Sequence, residues 1–116
     1  MKIQGHIVNH DEEFDGEITI NETTGLIESV SPFPKGSTAK PGGISKGELI
    51  FPGFTDLHVH AREDVSGTQN YKEDFKTASQ AALAGGVTQF AEMPNNPIPP
   101  VDDASYTAKE KLAQEH

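Results

Sequence analysis

The 116 residues contain no cysteine, so neither a disulfide framework nor a thiolate metal site can form. Positive charge is scarce too. Nine Lys and Arg stand against eighteen Asp and Glu, a formal net charge of −9. That balance argues against nucleic acid or an anionic membrane surface as partner. No apolar run approaches the length that spans a bilayer, and the opening Met1-Lys2-Ile3-Gln4-Gly5-His6 has no apolar signal core. These absences predict a cytoplasmic chain of ordinary single-domain length. Internal repeats and low-complexity tracts are also missing.

What is present centres on Phe51-Pro52-Gly53-Phe54-Thr55-Asp56-Leu57-His58-Val59-His60-Ala61-Arg62. β-Branched and aromatic residues between Phe54 and Val59, punctuated by Pro52-Gly53, predict a short buried strand. Residues two apart share a strand face, so Asp56, His58 and His60 fall on one side and Leu57 and Val59 on the other. Two imidazoles on one face of a rigid strand suit a single divalent metal. Asp56 is placed to orient a ligand histidine from behind. His6 and His10 have no partner spacing and read as ordinary strand or surface residues. His116 receives no role.

The chain divides in composition. Residues 1–51 read as β: a strand over Lys2–Asn9, then a hairpin of Glu17–Ile20 and Leu26–Val30 turned at Gly25. Pro32–Gly47 is rich in Pro, Gly, Ser and Lys and reads as a long loop. Glu48–Phe51 returns to extended structure. Residues 52–116 alternate strand and helix. Asn70, with Glu73 three residues on, reads as an N-cap. Tyr71, Phe75, Ala78 and Ala82 form one helical stripe, ended by Gly85-Gly86. Val87–Met93 is a second strand, Pro94–Pro100 a stiff loop with four prolines, and Asp102 or Asp103 caps a last helix. The order predicts an α/β fold with parallel strands and right-handed crossovers.

The run Pro52-Gly53-Phe54-Thr55-Asp56-Leu57-His58-Val59-His60 resembles the metal-binding signature of the amidohydrolase superfamily. Its continuation through Arg62-Glu63, Tyr71-Lys72-Glu73-Asp74, Ala84-Gly85-Gly86-Val87-Thr88 and Met93-Pro94-Asn95 resembles the dihydroorotase family in particular. Three departures touch the loop after the strand: Ala61 is smaller than usual, Asp64-Val65-Ser66 stands in place of Pro-Gly, and Asn96 follows Asn95 where Thr or Ser is usual. The resemblance implies the N-terminal part of a metal-dependent (β/α)8 barrel, with residues 1–51 as strands of a small β-sandwich and 52–116 as the first two βα units. It implies zinc, binuclear in the complete enzyme, with His58 and His60 as ligands and Asp56 behind them. Arg62 and Asn95 would bind the carboxylate of a cyclic amide, in the interconversion of dihydroorotate and carbamoyl-aspartate of pyrimidine biosynthesis. No catalytic proton-transfer residue of that reaction falls in these residues, so the chain alone is expected to be inactive and to associate with itself or with the rest of the enzyme.

Each assignment has a plainer counterpart. Arg62 also fits a surface ion pair, and Asn95 after Pro94 fits a turn. Lys72-Glu73-Asp74 fits a solvated first helical turn. Glu63 and Asp64 read as a mobile acidic loop. Two other functions are compatible with the residues: an allantoinase- or hydantoinase-type cyclic amidase, and a non-catalytic scaffold.

Overall fold

The computed structural model describes residues 1–36 and 49–115 as two compact units, Met1–Pro52 and Gly53–His116. Most of the predicted Pro32–Gly47 loop, Glu48 and His116 lie outside the described residues.

The first unit is a four-stranded sheet in the order β3-β2-β1-β4. β1 (Lys2–Val8) pairs antiparallel with β2 (Glu13–Ile20), β2 pairs antiparallel with β3 (Ile27–Pro32), and β4 (Leu49–Ile50) adds in parallel to β1. β2 begins four residues before the predicted Glu17. Pairing with β1 explains the extension: Gly5, His6, Ile7 and Val8 face Gly16, Asp15, Phe14 and Glu13, and His6 Nδ1 lies 2.9 Å from Asp15 Oδ1. β3 tolerates Pro32 because an edge strand does not need every N–H. The β2–β3 turn forms where expected. Asn21 Oδ1 accepts the N–H groups of Thr23 and Thr24, and Gly25 adopts φ +72°, a region glycine enters freely.

The second unit pairs β5 (Phe54–Val59) and β6 (Val87–Glu92) in parallel, each followed by a helix, α1 (Phe75–Ala84) and α2 (Asp103–Gln114). Gly53 sits where a Cβ would lie 2.3 Å from the Thr88 side chain, so the residue entering β5 must lack one. Phe75, Ala78 and the fully buried Ala61 form the core cluster, with Phe90 and Leu112 packed against it.

Two expectations change. β5 is largely exposed rather than buried: Phe54 is 54% and Leu57 74% accessible. Among the described residues β6 is its only ladder partner, so the apolar side chains of β5 find little to cover them. α1 starts at Phe75 with Asp74 as N-cap, not Asn70. Asp74 Oδ1 accepts Thr77 N–H at 2.7 Å while Thr77 Oγ1 accepts Asp74 N–H at 3.2 Å, a reciprocal capping box. Tyr71 therefore lies off the helix and is exposed. Asp102 caps α2 in the same way through Ser105.

Candidate active site

The site is built at the C-terminal end of β5. Asp56 faces Phe90 and Val59 faces Glu92, so three steps along β5 match two along β6. This is a β-bulge, a device that bends a strand and re-aims its side chains. Asp56 Oδ1 accepts the His58 backbone N–H at 2.9 Å, satisfying a donor at the bulge. Asp56 thus bonds the backbone of β5 rather than an imidazole. Beyond the bulge the His58 and His60 rings meet edge to face, centroids 5.0 Å apart, with their Nε2 atoms separated by 3.2 Å. Two nitrogens bound at about 2.0–2.1 Å to one tetrahedral zinc ion lie roughly 3.3 Å apart, so the pair fits a shared metal. It offers two donors where a catalytic zinc takes three protein ligands. No group of three or more His, Cys, Asp or Glu poised for a metal occurs among the described residues.

The loops bring two further residues to His60. Met93 N–H donates to Val59 O at 2.8 Å, carrying the ladder one residue past β6. Asn95 N–H then donates to Met93 O at 2.9 Å, closing a tight turn around Pro94. This sets Asn95 Oδ1 2.9 Å from His60 Nδ1 and 3.4 Å from Arg62 Nη1. Arg62 itself adopts φ +61°, a left-handed conformation that costs a non-glycine residue about 1–2 kcal/mol. His58, His60, Arg62 and Asn95 are therefore one contiguous group, with Asp56 one step behind it.

The residues flanking Arg62 hold it there. Ala61 is fully buried, and Glu63 and Asp64 are only 6% and 5% exposed, which overturns the expectation of a mobile acidic loop. The reason is hydrogen bonding. Glu63 Oε2 accepts the Phe75 N–H at 2.8 Å at the start of α1, and Glu63 Oε1 accepts from Asn70 Nδ2 at 3.2 Å. Asp64 takes the Ser66 N–H and hydroxyl on Oδ1, and the Ile98 N–H at 2.9 Å on Oδ2. Burial pushes the Asp64 carboxyl upward. The bonds from Ser66, Ile98 and Gly67 outweigh it and hold the group below its ordinary value.

Sequence reasoning also missed a polar tie from α2. Lys109 Nζ pairs with Glu92 Oε2 at 2.7 Å, both side chains 12% exposed. It also donates to Asn96 Oδ1, and Asn96 Nδ2 donates to the Glu63 carbonyl at 3.2 Å. The pattern Asp64-x-Ser66-Gly67 was a readable turn signal. The Lys109–Glu92 pair spans seventeen residues and has no local signature.

The chain is similar to known proteins. The dihydroorotase of Sulfurihydrogenibium sp. (strain YO3AOP1) is 39% identical over 103 residues, covering 85% of this chain and 22% of the relative. That of Aquifex aeolicus is 34% identical over 103 residues, 87% of this chain and 23% of the relative. An allantoinase of Bacillus licheniformis is 43% identical over 71 residues, 60% of this chain and 16% of the relative. The chain spans about a quarter of the length of the dihydroorotases it matches. The profile of the amidohydrolase family covers residues 49–114, both histidines and the loops around them included, and on that match the chain belongs to the amidohydrolase family.

Proposed function

We propose that this chain is the N-terminal part of a cyclic-amide hydrolase of dihydroorotase type, interconverting dihydroorotate and carbamoyl-aspartate. The observation that carries this reading is the contiguous group of His58, His60, Arg62 and Asn95 at the end of β5. Dihydroorotases among its relatives support it. In this reading β5-α1 and β6-α2 open a (β/α)8 barrel, residues 1–51 belong to a small β-sandwich, and the enzyme works in the cytoplasm. His58 and His60 hold zinc, which when bound supplies Lewis acidity toward the amide carbonyl and toward water. Asp56 secures the backbone that carries them. Arg62 presents a planar fork to the substrate carboxylate, and Asn95 Nδ2 donates to the same group. Further metal ligands and the proton-transferring residue come from chain outside these 116 residues. Alone they are inactive and associate with themselves or with the remainder of the enzyme.

In the complete enzyme, His58→Ala or His60→Ala should abolish hydrolysis and lower metal content. Unchanged zinc in both variants would refute the ligand assignment. Arg62→Met removes a charge-assisted contact of about 1.5–3 kcal/mol, so turnover of dihydroorotate should fall by roughly one to two decades with zinc retained. Dihydroorotate hydrolysis equal to the parent's would end the carboxylate assignment. The allantoinase relative favours a second reading, in which the substrate is a neutral cyclic ureide. Faster turnover of allantoin than of dihydroorotate would select it.

A further inference from the structure

Asn95 meets two neighbours through one oxygen. A guanidinium carries only donors, so the Asn95 atom facing Arg62 Nη1 is the carbonyl Oδ1. A carbonyl only accepts, so the His60 Nδ1 lying 2.9 Å from it carries the ring proton. In a neutral imidazole that leaves Nε2 as a bare lone pair, on the side where His58 Nε2 approaches to 3.2 Å. The arrangement does not depend on a floppy side chain. Asn95 is placed by its own N–H on Met93 O, and Met93 by its N–H on Val59 O, one residue before His60. The backbone of the ligand strand thus locates the group that orients the ligand.

We propose that Asn95 is a positioning residue for the metal. Its carbonyl fixes His60 in the Nδ1-protonated form and presents Nε2 to the ion, while its amide nitrogen remains for substrate. This deepens the proposed zinc-site reading and rests on it, but the proton position can be read without metal or substrate. Arg62, bonded to the same oxygen, ties the carboxylate clamp to the metal ligand through a single atom.

The experiment uses the complete enzyme, stripped of metal, in three forms of residue 95. Long-range ¹H–¹⁵N correlation spectra at alkaline pH report which His60 nitrogen is protonated. Competition with a chromophoric chelator reports affinity for zinc alone. The parent should show His60 protonated at Nδ1. Asn95→Leu should lose that signature and bind zinc about tenfold to a hundredfold more weakly, the usual effect of removing such a partner. Asn95→Asp keeps an acceptor at the same place and should retain both the signature and the affinity. A parent His60 protonated at Nε2, or an Asn95→Leu chain that keeps the Nδ1 proton, would overturn the proposal. If the proton position behaves as expected and the complete enzyme does not hydrolyse dihydroorotate, the functional reading fails and this one stands.

Discussion

Ile7 in the first unit and Phe75 in the second are almost equally buried, at 5% and 6% exposure, but different forces hold them. Ile7 lies on β1 with a strand on either side, paired to Phe14 of β2 and Ile50 of β4. Its surroundings are made by a repeating backbone ladder. Phe75 begins a helix whose first N–H is accepted by the carboxylate of Glu63, twelve residues upstream. Lys109 of α2 sits 5.9 Å from its ring centroid, a cation–π distance. Backbone donors in the second unit depend on particular side chains. A sheet distributes its stability along a register, whereas loops around a site concentrate it in a few buried polar groups.

The largest expected break in this contrast is Glu63→Ala. The Phe75 N–H and the Asn70 amide both lose their acceptor, at about 1–3 kcal/mol each, for a total of about 2–6 kcal/mol. Amide exchange should accelerate in the first turn of α1 and stay unchanged in β1 and β2. Equal acceleration in both units would show that the two are not held separately. Gly16→Ala is the converse. A Cβ there would lie 2.5 Å from Ser31 O and 2.8 Å from the Phe14 ring, so β3 must move away from β2. Overpacking of this kind costs about 1–3 kcal/mol. Exchange should quicken at Ile18 and Val30 with α1 unaffected, and protection of that pair at the parental level would remove the claim.

The smallest effect is a divergence with pH. The Asp64 carboxyl is held low, so its contribution is full above the unfolded value and disappears as pH falls through the folded one. His6 is raised by its bond to Asp15, so its contribution is full below the unfolded value and disappears as pH rises through the folded one. The Ile98 amide should therefore lose protection only in acid, below the ordinary carboxyl value of 3.8. The β1–β2 pairing beside His6 should loosen slightly only as pH climbs past the ordinary histidine value of 6.5. Amide exchange across that range checks both, and a common pH dependence at the two sites would contradict the assignment.

The parts legible from residue order were those fixed locally. The strand over Phe54–Val59, the turn at Gly25 and a cap at Asp102 or Asp103 each follow from neighbours in sequence; the strand forms at those residues though exposed, the turn forms, and Asp102 is the cap. The start of α1 did not follow. Asn70-x-x-Glu73 and Asp74-x-x-Thr77 both satisfy a capping pattern, and the choice is made by Glu63, which engages both Asn70 and the Phe75 N–H. Burial of Glu63 and Asp64 was illegible for the same reason. Their acceptors serve donors at Phe75 and Ile98, and composition alone makes two adjacent carboxylates look solvated. In the candidate site the spacing His58-x-His60-x-Arg62 placed three members within a few residues. The bond from Asn95 to His60 spans thirty-five residues and becomes visible only once β6 lies beside β5.

The left-handed backbone at Arg62 sets folding and recognition against each other at one position. A glycine would adopt φ +61° without steric cost but would carry no guanidinium to meet Asn95. Arg62→Gly would therefore relieve the backbone and remove the guanidinium beside Asn95 in one step. The backbone tension at Arg62 is carried by the buried neighbours Ala61, Glu63 and Asp64.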